Sequence, residues 1–344
     1  MTIRSTITPK NYFRSVGGFG ANMLSEQRPQ VTNVYQNHHM DSTRWNAYSP
    51  RDDDIVISTS IKSGTTWVQA IVRELIVHGL DSHDSRIPER IPLQDTESSF
   101  WLDATFSREI GALYEKLEAQ VHRRFIKTHL PLDGLPFYPQ VKYLVIGRDP
   151  RDVFMSLWNH YANYKDDFYE RINEAPDLVG EPCPRCPEDI HAFWQSWISQ
   201  GWFDWEQEGY PFWGNMHHAQ TWWNYRHLDN IQFFHYADIL ANPIGEIKRI
   251  AEFLGIDVSD KAISAIVQYT SLSAMRQRRL EAGGSHPIFK GGANTFYFKG
   301  ANGRWRDILS DDELAMYETT RSQVLSLECA RWLEHGRAAW HSTG

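Results

Sequence analysis

The sequence predicts an α/β fold: a single domain with a central parallel sheet flanked by helices. Three observations carry that expectation. Four short runs, Ile55–Ser58, Arg124–His129, Lys142–Arg148 and Ile231–Tyr236, are rich in Ile, Val, Leu and Phe, the composition of strands buried on both faces. Helical patterns follow the first, third and fourth of them, and strands that alternate with helices pair in parallel. The chain has 344 residues, 41% of them hydrophobic, enough for one large domain with insertions.

Each element has a local reason. Residues 1–50 are polar and irregular and read as an N-terminal arm or peripheral cover, which ends at Asp52, Asp53 and Asp54. Past the first strand and a short loop, Val68, Ile71, Val72, Leu75 and Ile76 recur at helical spacing and give one apolar face. Gly79 is then expected as a left-handed residue closing the helix. Asp149–Pro150 and Asn242–Pro243 are each a cap followed by proline at the first helical position. The second of these helices turns Ile247, Ile250, Ala251 and Leu254 inward and stops at Gly255. Residues 162–190 are polar and contain proline, and are expected as a surface insertion. Residues 281–304 hold six glycines, too many for regular structure, and long loops inside compact domains are usually functional. Ser310 and Glu313 form a capping box at the start of a last helix. The domain is expected over 51–335, with 336–344 as a tail.

Composition narrows the function. The net charge of −8 argues against a nucleic-acid surface, so an anionic ligand needs a local basic site. The 14 tryptophans exceed what a core needs, and those between Phe193 and Trp223 suggest an aromatic-lined pocket as well. The N-terminus lacks the apolar core of a signal peptide, and no apolar run is long enough to span a membrane. Three cysteines are too few for a disulfide scaffold. These features predict a cytoplasmic protein. Cys183 and Cys186 form CPRC, expected as a reduced surface pair, since a structural zinc site needs four ligands.

The segment Ile57–Gly79 reads strand, loop, helix, with KSGTT at the helix start. Backbone N–H groups, hydroxyls and one ammonium there suit a phosphate or sulfate. Lys62 precedes the glycine and the early glycine of a Walker A loop is missing, so a standard triphosphate loop is excluded. In a parallel sheet, ligands bind beyond the carboxyl ends of the strands. The loops at Ser60–Thr66, Thr128–Pro131 and Arg148–Asp152 are therefore expected to meet at one edge. Lys127 and His129 lie two apart on an extended strand, and so share a face.

The segment TSIKSGTTW closely resembles the 5′-phosphosulfate loop of the cytosolic-type sulfotransferases, with Ser60 and Ile61 in place of Tyr and Pro. GRDPRDVFMSLWNHY resembles that family's 3′-phosphate segment, with Arg148 and Ser156 eight residues apart, and FIKTHLPLDGLP resembles its KTHLP segment. YFKGANGRWRD is similar to the family's RKGxxGDWK, but Phe298 stands where the family has Arg. The resemblance covers roughly residues 54–310. It implies a P-loop-kinase-like sulfotransferase fold, 3′-phosphoadenosine 5′-phosphosulfate (PAPS) as donor, 3′,5′-diphosphoadenosine (PAP) as product, no metal, and a small-molecule hydroxyl acceptor. It also implies roles. His129 is the base, and Lys62 and Lys127 stabilise charge. Lys62, Ser63, Gly64, Thr65 and Thr66 hold the 5′-phosphate, and Trp67 stacks or closes the site. Arg148 and Ser156 hold the 3′-phosphate. Tyr236, Thr270, Ser271 and Met275 approach the adenine side, and Lys299, Gly300 and Arg304 complete the donor site. Arg304 or Arg306 is the candidate replacement for the missing Arg. The family's dimer motif is replaced by RWRDILSDDE, so dimerisation by that route is not expected. Two alternatives compete: a nucleotide-dependent kinase, which requires Mg²⁺, and a nucleotide-binding protein that catalyses nothing.

Overall fold

The computed structural model describes residues 28–79, 100–106 and 109–339. Strands β1 (Ile55–Thr59), β2 (Phe125–Thr128), β3 (Lys142–Gly147) and β4 (Ile231–His235) form a parallel sheet in the order β2-β1-β3-β4. β1 is central, and the chain leaves it first toward β2 and later toward β3 on its other side. That reversal opens a crevice at the carboxyl edge of β1.

Strand alternation divides the core in two. Ile55, Ile57, Phe125, Leu144, Ile146 and Phe234 face one side. There α1 (Thr65–Gly79) lies with two later helices, Pro243–Leu254 and Asp260–Tyr269, and the expected faces of Val68 to Ile76 and Ile247 to Leu254 are buried. Val56, Ile126, Tyr143, Val145, Ile231 and Phe233 face the other side. That side holds the aromatic mass, with Trp194, Trp197, Trp213, Trp222 and Trp223 all buried. Most of the tryptophans expected near a pocket are thus core.

The caps form as the sequence predicts. The Asp149 side chain accepts from the N–H of Arg151 at the start of the helix Pro150–Tyr161, and Asn242 from that of Gly245. Gly255 is left-handed, and the Ser310–Glu313 capping box is complete. All six glycines of 281–304 have positive φ, and one short helix, Gly292–Phe296, interrupts the loop.

Three expectations are corrected. Gly79 is the last residue of α1 and is not left-handed. Its constraint is tertiary, since a Cβ there would lie 2.2 Å from Ile256 Cγ2. The segment 162–190 is no mere surface insertion. It carries the helix Asp166–Asn173 and buries Tyr164, Phe168, Tyr169, Ile172 and Cys183 in the aromatic core. Its apolar residues pack against the turn at 36–41, too distant in sequence for periodicity to reveal. Cys183 is accordingly buried and Cys186 half-buried, both free thiols rather than a surface pair.

Residues 28–50, expected as peripheral, also enter the core through Tyr35, Met40, Trp45 and Tyr48. One buried ion pair fixes them. The Arg124 Nε donates to Asp54 Oδ1 at 2.7 Å, and both side chains are fully buried. Asp54 also accepts from the Tyr48 hydroxyl at 2.5 Å and the Arg51 N–H at 2.9 Å. Among the described residues no helix is long and apolar enough to cross a membrane. Removing one partner of such a pair leaves an uncompensated buried charge. Asp54→Ala is therefore expected to lose about 3–5 kcal/mol of stability in urea unfolding.

Candidate active site

Every strand delivers a residue to the carboxyl edge. Past β1, Lys62 has φ 67° and is the only non-glycine residue with positive φ among those described. Such a conformation costs about 1–3 kcal/mol and persists only where neighbours enforce it. Arg148, just past β3, enforces it by donating from Nη1 to the Lys62 carbonyl at 3.1 Å. Next comes Gly64, with φ 107°, where any Cβ would lie 2.8 Å from the ring of Tyr236. Only glycine admits both that φ and that approach.

The Lys62 ammonium lies 2.9 Å from His160 Nδ1 and 5.5 Å from the centre of the Phe296 ring. Burial, then Arg148 and Lys127, lower it to about 7. Burial and the same Lys62 charge push His160 well below the ordinary histidine range. His160 is therefore neutral and accepts from the ammonium.

His129 follows β2 and is buried between Trp101, edge-on at 4.8 Å, and Trp213 at 5.7 Å. Its Nδ1 lies 2.8 Å from the Thr59 carbonyl. A carbonyl only accepts, so Nδ1 carries the proton and Nε2 holds the lone pair. Burial, then Lys127, lowers its pKa to about 3, which keeps the imidazole neutral. Lys127 lies over Trp101 at 5.0 Å and acts electrostatically on His129 and Lys62 alike.

The hydroxyls of the loop divide. Ser63 Oγ is bonded to Ser60 Oγ at 2.7 Å, and Thr65 Oγ1 to Thr59 Oγ1 at 2.6 Å. Both hydroxyls are occupied, and the Ser63 N–H already donates to the Ser60 carbonyl at 3.3 Å. Thr66 and Ser156 have no hydroxyl partner among the described residues. Ser156 lies one turn before His160 on the helix Pro150–Tyr161, so both share a face.

Arg148 stacks on Tyr236 at 4.2 Å and donates to Asn302 Oδ1 from Nε at 3.1 Å and Nη2 at 2.9 Å. It forms no ion pair with Asp149 or Asp152. Asp149 pairs with Arg151, and Asp152 accepts from the Gly303 N–H at 2.7 Å. The Tyr236 hydroxyl donates to the Gly300 carbonyl at 3.1 Å. Arg304 donates from Nη2 to the Met155 carbonyl, beside Ser156, at 2.6 Å, and the nearby Arg148 charge adds to burial in lowering its pKa. Arg306 instead lies over Trp305 at 4.7 Å. Lys299 is exposed, 5.3 Å from the centre of the Phe298 ring. Thr270 and Ser271 bond locally, their hydroxyls donating to the carbonyls of Ile266 and Gln268, while Met275 is buried. That helix start still borders the site, because a Cβ at Gly300 would lie 2.6 Å from Leu272.

His160 and Asn302 are the residues that sequence reasoning passed over. His160 had one signal, its place four residues past Ser156. Asn302 had none, since its partner Arg148 is 154 residues away.

The arrangement suits an anionic nucleotide. Lys62, Arg148 and Arg304 all have lowered pKa values, and an entering anion relieves that stress. The buried Trp67 Nε1, beside the Tyr236 ring at 5.5 Å, lacks a hydrogen-bond partner among the described residues. A neutral base with a fixed tautomer adjoins these cations. Fold and site together define a group-transfer enzyme acting on an anionic donor.

Residues 52–325 match the family described as "Sulfotransferase domain". A glycolipid sulfotransferase of Mycobacterium tuberculosis is 34% identical over 334 residues, covering 92% of this chain and 99% of that protein. Sulfotransferase 1A1 of Rattus norvegicus is 29% identical over 262 residues, covering 74% and 78%. In structure, the chain is similar to a mouse sulfotransferase complexed with PAP, with TM-score 0.63, 20% identity and coverage of 88% and 96%. Retinol dehydratase in complex with retinol and PAP gives TM-score 0.60, 22% identity and coverage of 83% and 84%. The chain belongs to the sulfotransferase family. It is an enzyme of sulfuryl transfer with the fold of that family.

Arg304, and not Arg306, lies beside Ser156 and Arg148. Arg304→Ala is expected to weaken PAP binding in calorimetric titration by about tenfold, the loss of one charge-assisted contact. Arg306→Ala should leave it within twofold of wild type, roughly the scatter of a surface substitution.

Proposed function

We propose that the chain transfers the sulfuryl group of PAPS in line to a hydroxyl of a small molecule with an apolar or aromatic face. The observation that carries this reading is the His129 tautomer. The Thr59 carbonyl accepts a hydrogen bond from Nδ1–H, and Nε2 with its lone pair takes the acceptor's hydroxyl proton. As that oxygen bonds to sulfur, the bond from sulfur to the 5′-phosphate oxygen breaks. Lys62 stabilises the charge left on the phosphate, and Lys127 the charge on the moving group. The N–H groups of Gly64 to Thr66, at the start of α1, hold the 5′-phosphate. Arg148, Ser156 and Arg304 hold the 3′-phosphate, with Trp67, Tyr236 and the start of the helix Leu272–Glu281 on the adenine side.

Trp101 and Trp213 adjoin the base, Phe106 packs edge-on against Trp101 at 5.2 Å, and the three supply an apolar wall for the acceptor. The name of the mycobacterial relative, a glycolipid sulfotransferase, supports an acceptor that carries its hydroxyl on an amphiphilic body. The three free cysteines fit a reducing, cytoplasmic setting.

His129→Ala should lower kcat by about 10²–10⁴-fold, while PAP binding stays within threefold of wild type. Wild-type turnover in that variant would refute the base assignment.

The pH profile follows from the two shifted groups. Lys62 works as a cation, and its free-enzyme pKa is lowered to about 7. Thus kcat/KM for the donor should be level below that value and fall as pH rises through it. His129, lowered to about 3, is already neutral, so no acid limb is expected between about pH 5 and 7. Initial rates against pH check both limbs. In Lys62→Arg, whose guanidinium stays charged, the alkaline limb should disappear.

A further inference from the structure

The turn at residues 36–41 drives two adjacent histidines into the aromatic core, where both rings are buried. The turn is closed by pairing of Gln36 with Asp41. Asn37 Oδ1 braces it by accepting the N–H groups of His39 at 2.9 Å and Met40 at 3.0 Å. His38 Nε2 lies 3.0 Å from the Pro211 carbonyl. It therefore carries the ring proton, and Nδ1 holds a lone pair. His39 Nε2 lies 3.3 Å from the Tyr164 hydroxyl, and its Nδ1 is in close contact with His38 Nδ1.

The buried Cys183 comes from the far side of the core. One nitrogen of each histidine and the Cys183 sulfur all lie within 4.8 Å of one another. The backbone of Cys183 is clamped by the Asn173 side chain, which accepts its N–H at 2.8 Å and donates to its carbonyl at 3.0 Å. Cys186 follows three residues later, its N–H held by the Tyr169 hydroxyl at 3.2 Å.

We propose that His38, His39 and Cys183 bind a zinc-class divalent ion, with the fourth position of the tetrahedron left open. Two imidazoles and one thiolate are donors of the kind zinc takes. Imidazole and thiolate donors, with no carboxylate, disfavour Mg²⁺ and Ca²⁺. His38 already has the outer-shell bond of a metal-ligating histidine, its second ring nitrogen donating to a backbone carbonyl. The Cys183 thiol proton leaves for solvent as the metal–sulfur bond forms. The ion would staple the turn at 36–41 to the segment 162–190. Its role is structural, and it takes no part in sulfuryl transfer.

Without a metal, the same groups form a hydrogen-bonded chain from the Tyr164 hydroxyl through both rings to Pro211, and this alternative is an outcome of the test. The full chain is produced in zinc-supplemented medium and dialysed against a weak chelator, and its zinc content is measured. Protein made metal-free is titrated with Co²⁺ alone. About one zinc per chain and a thiolate-to-cobalt charge-transfer band support the proposal. Cys183→Ser should lose both, and Cys329→Ser, which alters the remote buried thiol, should lose neither. Wild-type protein with less than a tenth of an equivalent of zinc and no such band overturns it and leaves the hydrogen-bonded pair. Zinc retained in Cys183→Ser overturns it also. Neither readout depends on transferase activity.

Discussion

The guanidinium of Arg148 holds the site together. It lies on the face of Tyr236, grips the carbonyl of Lys62 and takes the side chain of Asn302. Those contacts join the loop after β1, the ends of β3 and β4, and the glycine-rich segment. Lys62 would relax from its left-handed conformation without them, and its ammonium would leave the edge of the crevice. The residue proposed to bind the 3′-phosphate thus also holds the backbone of the lysine proposed to serve the 5′-phosphate.

Burial sets the electrostatics of the crevice. Arg148 and Lys127 add to burial in lowering Lys62, Arg148 does the same to Arg304, burial alone lowers Arg148, and His129 and His160 are held neutral among them. Crowded cations of this kind are unfavourable in the free protein and favourable once a polyanion enters. The local basic site required by an overall charge of −8 is assembled from residues distant in sequence and adjacent only in the fold.

What the sequence disclosed was local. The strands, the caps at Asp149 and Asn242, the capping box at Ser310 and the edge where the loops meet all follow from neighbouring residues and from strand order. What it concealed was tertiary. Gly79 reads as a helix stop, yet its constraint is the close approach of Ile256. The polar composition of 162–190 hides four aromatic or aliphatic residues that pack into the core. His160 reads as one histidine among 15, and only the folded chain brings Lys62 to it across 98 positions. The loop composition likewise offered the hydroxyls of Ser63 and Thr65 to an anion, whereas folding has already engaged both with their own neighbours.

The Thr59 carbonyl that fixes the His129 tautomer belongs to the last residue of β1, three positions before Lys62. The base follows β2, and this bond ties it to the β1 backbone that leads into the donor loop, so a shift of either half of the crevice strains its contact with the other. Adaptation to different acceptors must fall to parts mounted elsewhere, such as the Trp101 wall. Divergence of substrate range within such a scaffold is free to rewrite those surfaces while the chemical step stays in register.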